Sequence, residues 1–178
     1  GLTSKYNMAE YHSGVTVKAE GGNNTVVLDA GERIASDNSR VGVTAGNGTD
    51  VIELYSGAHM AAYHGEIAID AGSGTNTVLL DADARIASDD STVTVTTGNE
   101  KDIIELFSDQ NMAAHRSTVA IEAGEGENEI TLKSGERIAH DAAKVFVTAG
   151  DGDDLVTLTS GGGNHLADDR SVIEVSVG

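Results

Sequence analysis

Acids, histidines and arginines recur at fixed intervals along this 178-residue chain, and the intervals decide what chemistry they can do. Asp29 and Asp81 are separated by 52 positions, as are Glu53 and Glu105. Carboxylate pairs carry out glycoside hydrolysis when two of them converge on one sugar bond. These repeat along the chain instead, whereas a catalytic site is a singular break in a repeat. The sequence therefore nominates no catalytic residue, and no G-x-S-x-G, H-E-x-x-H or phosphate-loop pattern adds one. The histidines are His12, His59, His64, His115, His140 and His165. His12 and His64 share a column but stand about 10 Å apart if the chain stacks in coils, too far to share one zinc. They read as surface residues. Arg33, Arg85 and Arg137 form another column, with Asp37, Asp89 and Asp141 four residues downstream. Such a row could hold an acidic polysaccharide, but the net charge of −18 and the adjacent acids point to local charge pairing.

The elements that position these columns follow from an internal repeat. Leu28, Leu54, Leu80, Leu106, Leu132 and Leu158 lie 26 residues apart, each with a β-branched residue two positions earlier. Val15, Val41, Ile67, Val93, Val119 and Val145 form a second apolar column, and Val17, Val43, Ile69, Val95, Ile121 and Val147 a third. Ala35, Ala61, Ala87, Ala113 and Ala139 form a last one. Apolar residues alternate with period two inside each repeat, a strand signal, and glycine-rich turns such as Gly46-Asn47-Gly48-Thr49 separate the strands. One such repeat cannot bury its apolar face alone, so copies must stack. The expected fold is all-β: a parallel β-solenoid, a right-handed β-helix of about six 26-residue coils with two longer sheets and one short one. Positions 24, 50, 76, 102, 128 and 154 read Asn, Asp, Asn, Asp, Asn, Asp, so the coils come in 52-residue pairs. Stacked side by side, each amide there would donate to its neighbouring carboxylate and separate like charges. Gly161-Gly162-Gly163 carries two extra residues, which puts Leu166-Ala167 two places late.

The turns resemble the calcium-binding nonapeptide of hemolysin-type (RTX) proteins, G-G-x-G-x-D followed by alternating apolar residues. Ala149-Gly150-Asp151-Gly152-Asp153-Asp154-Leu155-Val156 and Ala45-Gly46-Asn47-Gly48-Thr49-Asp50-Val51-Ile52 carry the likeness. Gly72-Ser73-Gly74-Thr75-Asn76 and Gly124-Glu125-Gly126-Glu127-Asn128 keep the glycines without the aspartate, and Gly98-Asn99-Glu100-Lys101-Asp102 loses the second glycine. The resemblance implies calcium held by turn carbonyls and by Asp50, Asp102 and Asp154, with the densest acidic cluster at Asp151, Asp153 and Asp154. Hard oxygen ligands of that kind suit Ca²⁺. The family has two such turns per coil of about 18 residues, whereas this chain has one per 26.

Composition narrows the function. Eleven basic against 29 acidic residues argue against nucleic-acid binding. There is no Cys and no apolar run long enough to span a bilayer. The chain opens and closes inside a repeat, so residues 1–178 read as a single β-solenoid domain cut from a longer array. The expected function is a structural and adhesive module of a secreted or cell-surface bacterial protein, a rigid spacer or display stalk with calcium at its turns. Its partners would be adjacent repeats of the parent protein and cell-surface or polysaccharide ligands, with the isolated chain a monomer or weakly associated end to end. The alternative is a polysaccharide-acting β-helix: a lyase, an epimerase or a phage tailspike domain. It would use His165, Asp168, Asp169 and Arg170 of the one segment that breaks register.

Overall fold

A computed structural model describes residues 1–178. Two seven-stranded sheets run the length of the molecule. One contains Leu2–Ser4, Thr25–Ala30, Val51–Ser56, Thr77–Ala82, Ile103–Ser108, Glu129–Ser134 and Leu155–Ser160. The other contains Gly14–Lys18, Arg40–Thr44, Glu66–Asp70, Thr92–Thr96, Thr118–Glu122, Lys144–Thr148 and Val172–Ser176. Every pairing is parallel, and each strand meets its copy one repeat away, as in Leu54↔Leu80 and Val93↔Val119. This is the parallel β-solenoid that the 26-residue period requires. It has seven strands per long sheet rather than six because Leu2–Ser4 and Val172–Ser176 extend the stack at either end.

The third face is a row of alanines. Ala9, Ala35, Ala61, Ala87, Ala113, Ala139 and Ala167 bridge one to the next, widening to two-residue strands at Ala35–Ser36 with Ala61–Ala62 and at Ala113–Ala114 with Ala139–His140. Small side chains suit that row because the single column Ile34, Met60, Ile86, Met112 and Ile138, one residue earlier in each coil, already fills the core with large side chains. Leu28, Leu54, Leu80, Leu106 and Leu132 are 0% exposed and stack in one internal row. Ala139↔Ala167 and Val145↔Ile173 are offset by 28 residues, so the two extra residues are absorbed at the Gly161–Gly163 turn and the stacking resumes above it.

The outward columns explain the 52-residue period. Asp29 and Asp81 are separated by Tyr55, and Glu53 and Glu105 by Leu79. Asp70 and Glu122 are separated by Thr96. Adjacent coils lie about 4.8 Å apart, where like charges directly opposite destabilise a sheet. Placing an acid on every second coil doubles that separation.

Candidate functional site

The column at positions 24, 50, 76, 102, 128 and 154 turns into the corner between the two long sheets, and Asp50, Asn76, Asp102 and Asn128 are at most 1% exposed. Each side chain places Oδ1 on the backbone of the preceding coil. Asp50 Oδ1 accepts from Asn24 N at 2.7 Å, Asn76 Oδ1 from Asp50 N at 3.1 Å, and Asp102 Oδ1 from Asn76 N at 2.7 Å. Asn128 Oδ1 accepts from Asp102 N at 3.1 Å, and Asp154 Oδ1 from Asn128 N at 2.9 Å. The ladder is thus side chain to backbone. The expected amide-to-carboxylate pairing occurs once, where Asn24 Nδ2 donates to Asp50 Oδ1 at 2.9 Å.

The second atom of each group distinguishes the coils. Asn76 Nδ2 donates into its own turn, to Gly74 O at 2.8 Å and Gly72 O at 3.3 Å. Asn128 Nδ2 faces Gly124 O and Gly126 O at 3.4 and 3.5 Å. Asparagine and aspartate have the same shape, so with Oδ1 fixed on the same backbone bond the aspartate Oδ2 takes the place of that Nδ2. An acceptor then stands where a donor belongs. Asp50 Oδ2, Asp102 Oδ2 and Asp154 Oδ2 are all buried without a hydrogen-bond partner. A buried unsatisfied polar atom costs about 1–3 kcal/mol. Burial pushes the Asp102 carboxyl above the usual carboxylate range, partly offset by the neighbouring Thr97 hydroxyl and then by the Asn76 N–H. A carboxylate oxygen beside turn carbonyls is a donor set that fits a hard cation.

The glycines have a steric role independent of any metal. A Cβ at Gly72 would lie 1.8 Å from Gly46 O, and one at Gly74 would lie 1.8 Å from Gly48 O. Gly74 also has φ +107, a conformation that L side chains rarely adopt. Where Glu100 replaces the second glycine, its Oε2 accepts from Gly74 N at 3.0 Å.

Asp50, Asp102 and Asp154 lie two coils apart, about 10 Å, so each belongs to its own turn. Asp151 and Asp153 are exposed on the last turn and Asp154 is half-buried. The structure brings three potential ligand side chains within 4.8 Å of one another elsewhere, at His140, Asp168 and Asp169. His140 Nδ1 is 2.6 Å from Asp168 Oδ1, and Arg137 Nε is 2.5 Å from Asp168 Oδ2. The His140 hydrogen bond and the Arg137 charge hold the Asp168 carboxyl below its usual range.

The arginine column departs from the expected pairing. Arg33 and Arg85 form no ion pair with Asp37, Asp89 or any other acid, since Asp37 accepts from Ser36 Oγ and Asp89 pairs with His115 Nδ1 at 3.0 Å. The reason is local backbone geometry. Asp37-Asn38, Tyr63-His64, Asp89-Asp90, His115-Arg116 and Asp141-Ala142 each adopt two successive positive-φ conformations, turning the chain sharply away from the short strands. These left-handed pairs were not foreseen, because none contains glycine. The tolerance of Asn, Asp and His for that region was the available signal. Also unforeseen was a second backbone ladder of serines, in which Ser91 Oγ accepts from Gly65 N at 3.1 Å and Ser117 Oγ from Ser91 N at 3.3 Å.

Comparison with protein-family models, with curated proteins and with solved structures found no match to this chain.

Proposed function

We propose that this chain is a structural and adhesive repeat module, a rigid spacer or display stalk of a secreted or cell-surface bacterial protein, with calcium at the aspartate-bearing turns. The observation that carries the reading is the uniformity of the register: the same pairs recur through seven strands of each long sheet, and the chemistry recurs with them. Stability in such a stack is a sum of nearest-neighbour terms, so length is adjustable in steps of two coils without disturbing a central site. Calcium enters through Asp50, Asp102 and Asp154, whose orphaned Oδ2 atoms form one candidate position per 52-residue pair. Binding there would replace an acceptor–acceptor contact with metal ligation and stiffen the corner. Asp151 and Asp153 would add outer ligands at the last turn.

Modularity is testable by insertion. A second copy of residues 50–101, placed directly after Lys101, preserves the Asn/Asp alternation and every column. The account predicts a rod about 10 Å longer by small-angle scattering and a melting temperature no lower than that of the parent. Misfolding, or a particle of unchanged length, contradicts it.

A further inference from the structure

Within the arginine column, Arg137 differs from Arg33 and Arg85. Arg137 meets a carboxylate of its own chain, because Asp168 in the shifted coil stands beside it together with His140. The residues in the corresponding place of the next coil are Ala62 for Arg33 and Ala114 for Arg85, by the register Ser36↔Ala62, Ala114↔His140 and Ala139↔Ala167. Neither alanine can neutralise a guanidinium. Arg33 lies against the Tyr63 ring at 5.4 Å from its centroid, and Arg85 has no side-chain partner. Between them sits His59. Arg33 Nε, His59 Nδ1 and Arg85 Nε, in three consecutive coils of one column, are buried without a well-aligned acceptor, as is Arg137 Nε, so what sets Arg33 and Arg85 apart is that no carboxylate stands within ion-pair distance of either. Burial and the flanking Arg85 and Arg33 charges push the His59 imidazole down to about 4, while the nearby Asp89 works weakly against them. An otherwise acidic rod therefore carries, about 10 Å apart, two guanidiniums that no carboxylate of the chain pairs.

We propose that Arg33 and Arg85, either side of His59, bind a linear, carboxylated polysaccharide whose acid groups meet the guanidinium Nη atoms, which make no hydrogen bond within the chain. The guanidinium fork suits planar carboxylates, and two heads about 10 Å apart suit a polymer with regularly spaced acids lying along the rod. Two features favour a glycan over an acidic peptide. The alanine row is already paired on both sides, so this face has no free strand edge to offer a peptide backbone. Tyr63, 45% exposed beside Arg33, presents an amphipathic ring to a sugar face. The acids elsewhere on the rod are screened beyond about 8 Å at physiological salt, so they slow the approach of a polyanion without blocking this contact. The proposal supplies a ligand class for the adhesive part of the reading above and needs neither calcium nor the insertion result.

The test is titration of the full chain with a hexamer of α-1,4-linked galacturonate, followed by calorimetry and by NMR of the His59 ring in EGTA. Saturable binding is expected, with the His59 midpoint rising from about 4 as carboxylates neutralise its arginine neighbours. Replacing both arginines, Arg33→Gln with Arg85→Gln, should weaken binding at least tenfold. A neutral hexamer of the same sugar should not bind. Absence of binding, or binding unchanged in the double variant, overturns the proposal. Equal affinity for a hexaglutamate peptide overturns the glycan class in favour of an acidic peptide.

Discussion

Two corners of the solenoid face the same stacking constraint and meet it in opposite ways. At the glycine corner the backbones of successive coils approach so closely that no Cβ fits at Gly72 or Gly74, and the polar column points inward onto backbone N–H groups. At the short-strand corner the chain turns through two left-handed residues per coil, and those residues are Asp, Asn, Tyr, His, Arg or Ala. Their side chains pair across coils, as in Arg116–Asp90 and His115–Asp89, while Arg33 and Arg85, four residues ahead of two of these turns, meet no carboxylate. The first corner spends its sequence on architecture. The second keeps side chains at its turn and so retains the chemical variety needed to contact other molecules.

The largest expected effect comes from the core that both corners share. Leu80→Ala, at a fully buried position between Leu54 and Leu106, should cost about 2–5 kcal/mol in urea unfolding. A neutral result would remove that column from the core. Next is Gly74→Ala, which places a methyl against Gly48 O at positive φ and should cost about 1–3 kcal/mol. Loss on that scale confirms that the glycine corner is sterically closed, whereas a neutral variant breaks the contrast between the corners.

The third effect depends on pH. The folded His59 pKa, about 4, lies below the unfolded value near 6.5, so the unfolded chain binds the extra proton between them. This contribution to stability is present above pH 6.5 and is lost as pH falls toward 4. Because the ring is only partly buried, about 1 kcal/mol is expected. His59→Asn, matching Asn7 and Asn111 in the same column, should flatten that part of the stability–pH curve. Curves that stay parallel from pH 7 to pH 4 would show that His59 is not held neutral. The smallest effect is a gain. Ala142 adopts φ 59 at the short-strand corner, so Ala142→Gly should stabilise by about 0.5–1 kcal/mol in the same unfolding assay. A loss there would mean that the left-handed turn depends on the methyl.

The period of 26, the parallel register and the internal leucine row were legible in the sequence because a solenoid writes each contact six times. What occurs once, or depends on backbone direction, was not. Asp168 reaches Arg137 because the turn at Gly161–Gly163 absorbs two inserted residues and leaves an acid in the register place that Ala62 and Ala114 hold in other coils. The asparagines and aspartates were visible as a column, but column membership does not say which atom faces the neighbouring coil. The backbone N–H takes Oδ1 because it is fixed in the strand entry and has no other acceptor, which leaves the Asp Oδ2 atoms as the unsatisfied remainder.

That remainder is where the account is tested most directly. Thermal unfolding is compared in millimolar Ca²⁺ and in EGTA for the parent chain and for the combined variant Asp50→Asn, Asp102→Asn, Asp154→Asn, whose side chains keep the ladder by copying Asn76 and Asn128. At a hundredfold excess over Kd, calcium should stabilise the parent by about 2.7 kcal/mol per site, raising Tm by about 5–10 °C for each site bound. The variant should melt identically in both buffers and above the calcium-free parent, because its amides donate to the turn carbonyls. Superimposable melts of the parent with and without calcium, or a calcium shift that survives in the variant, would contradict cation binding at the aspartate coils.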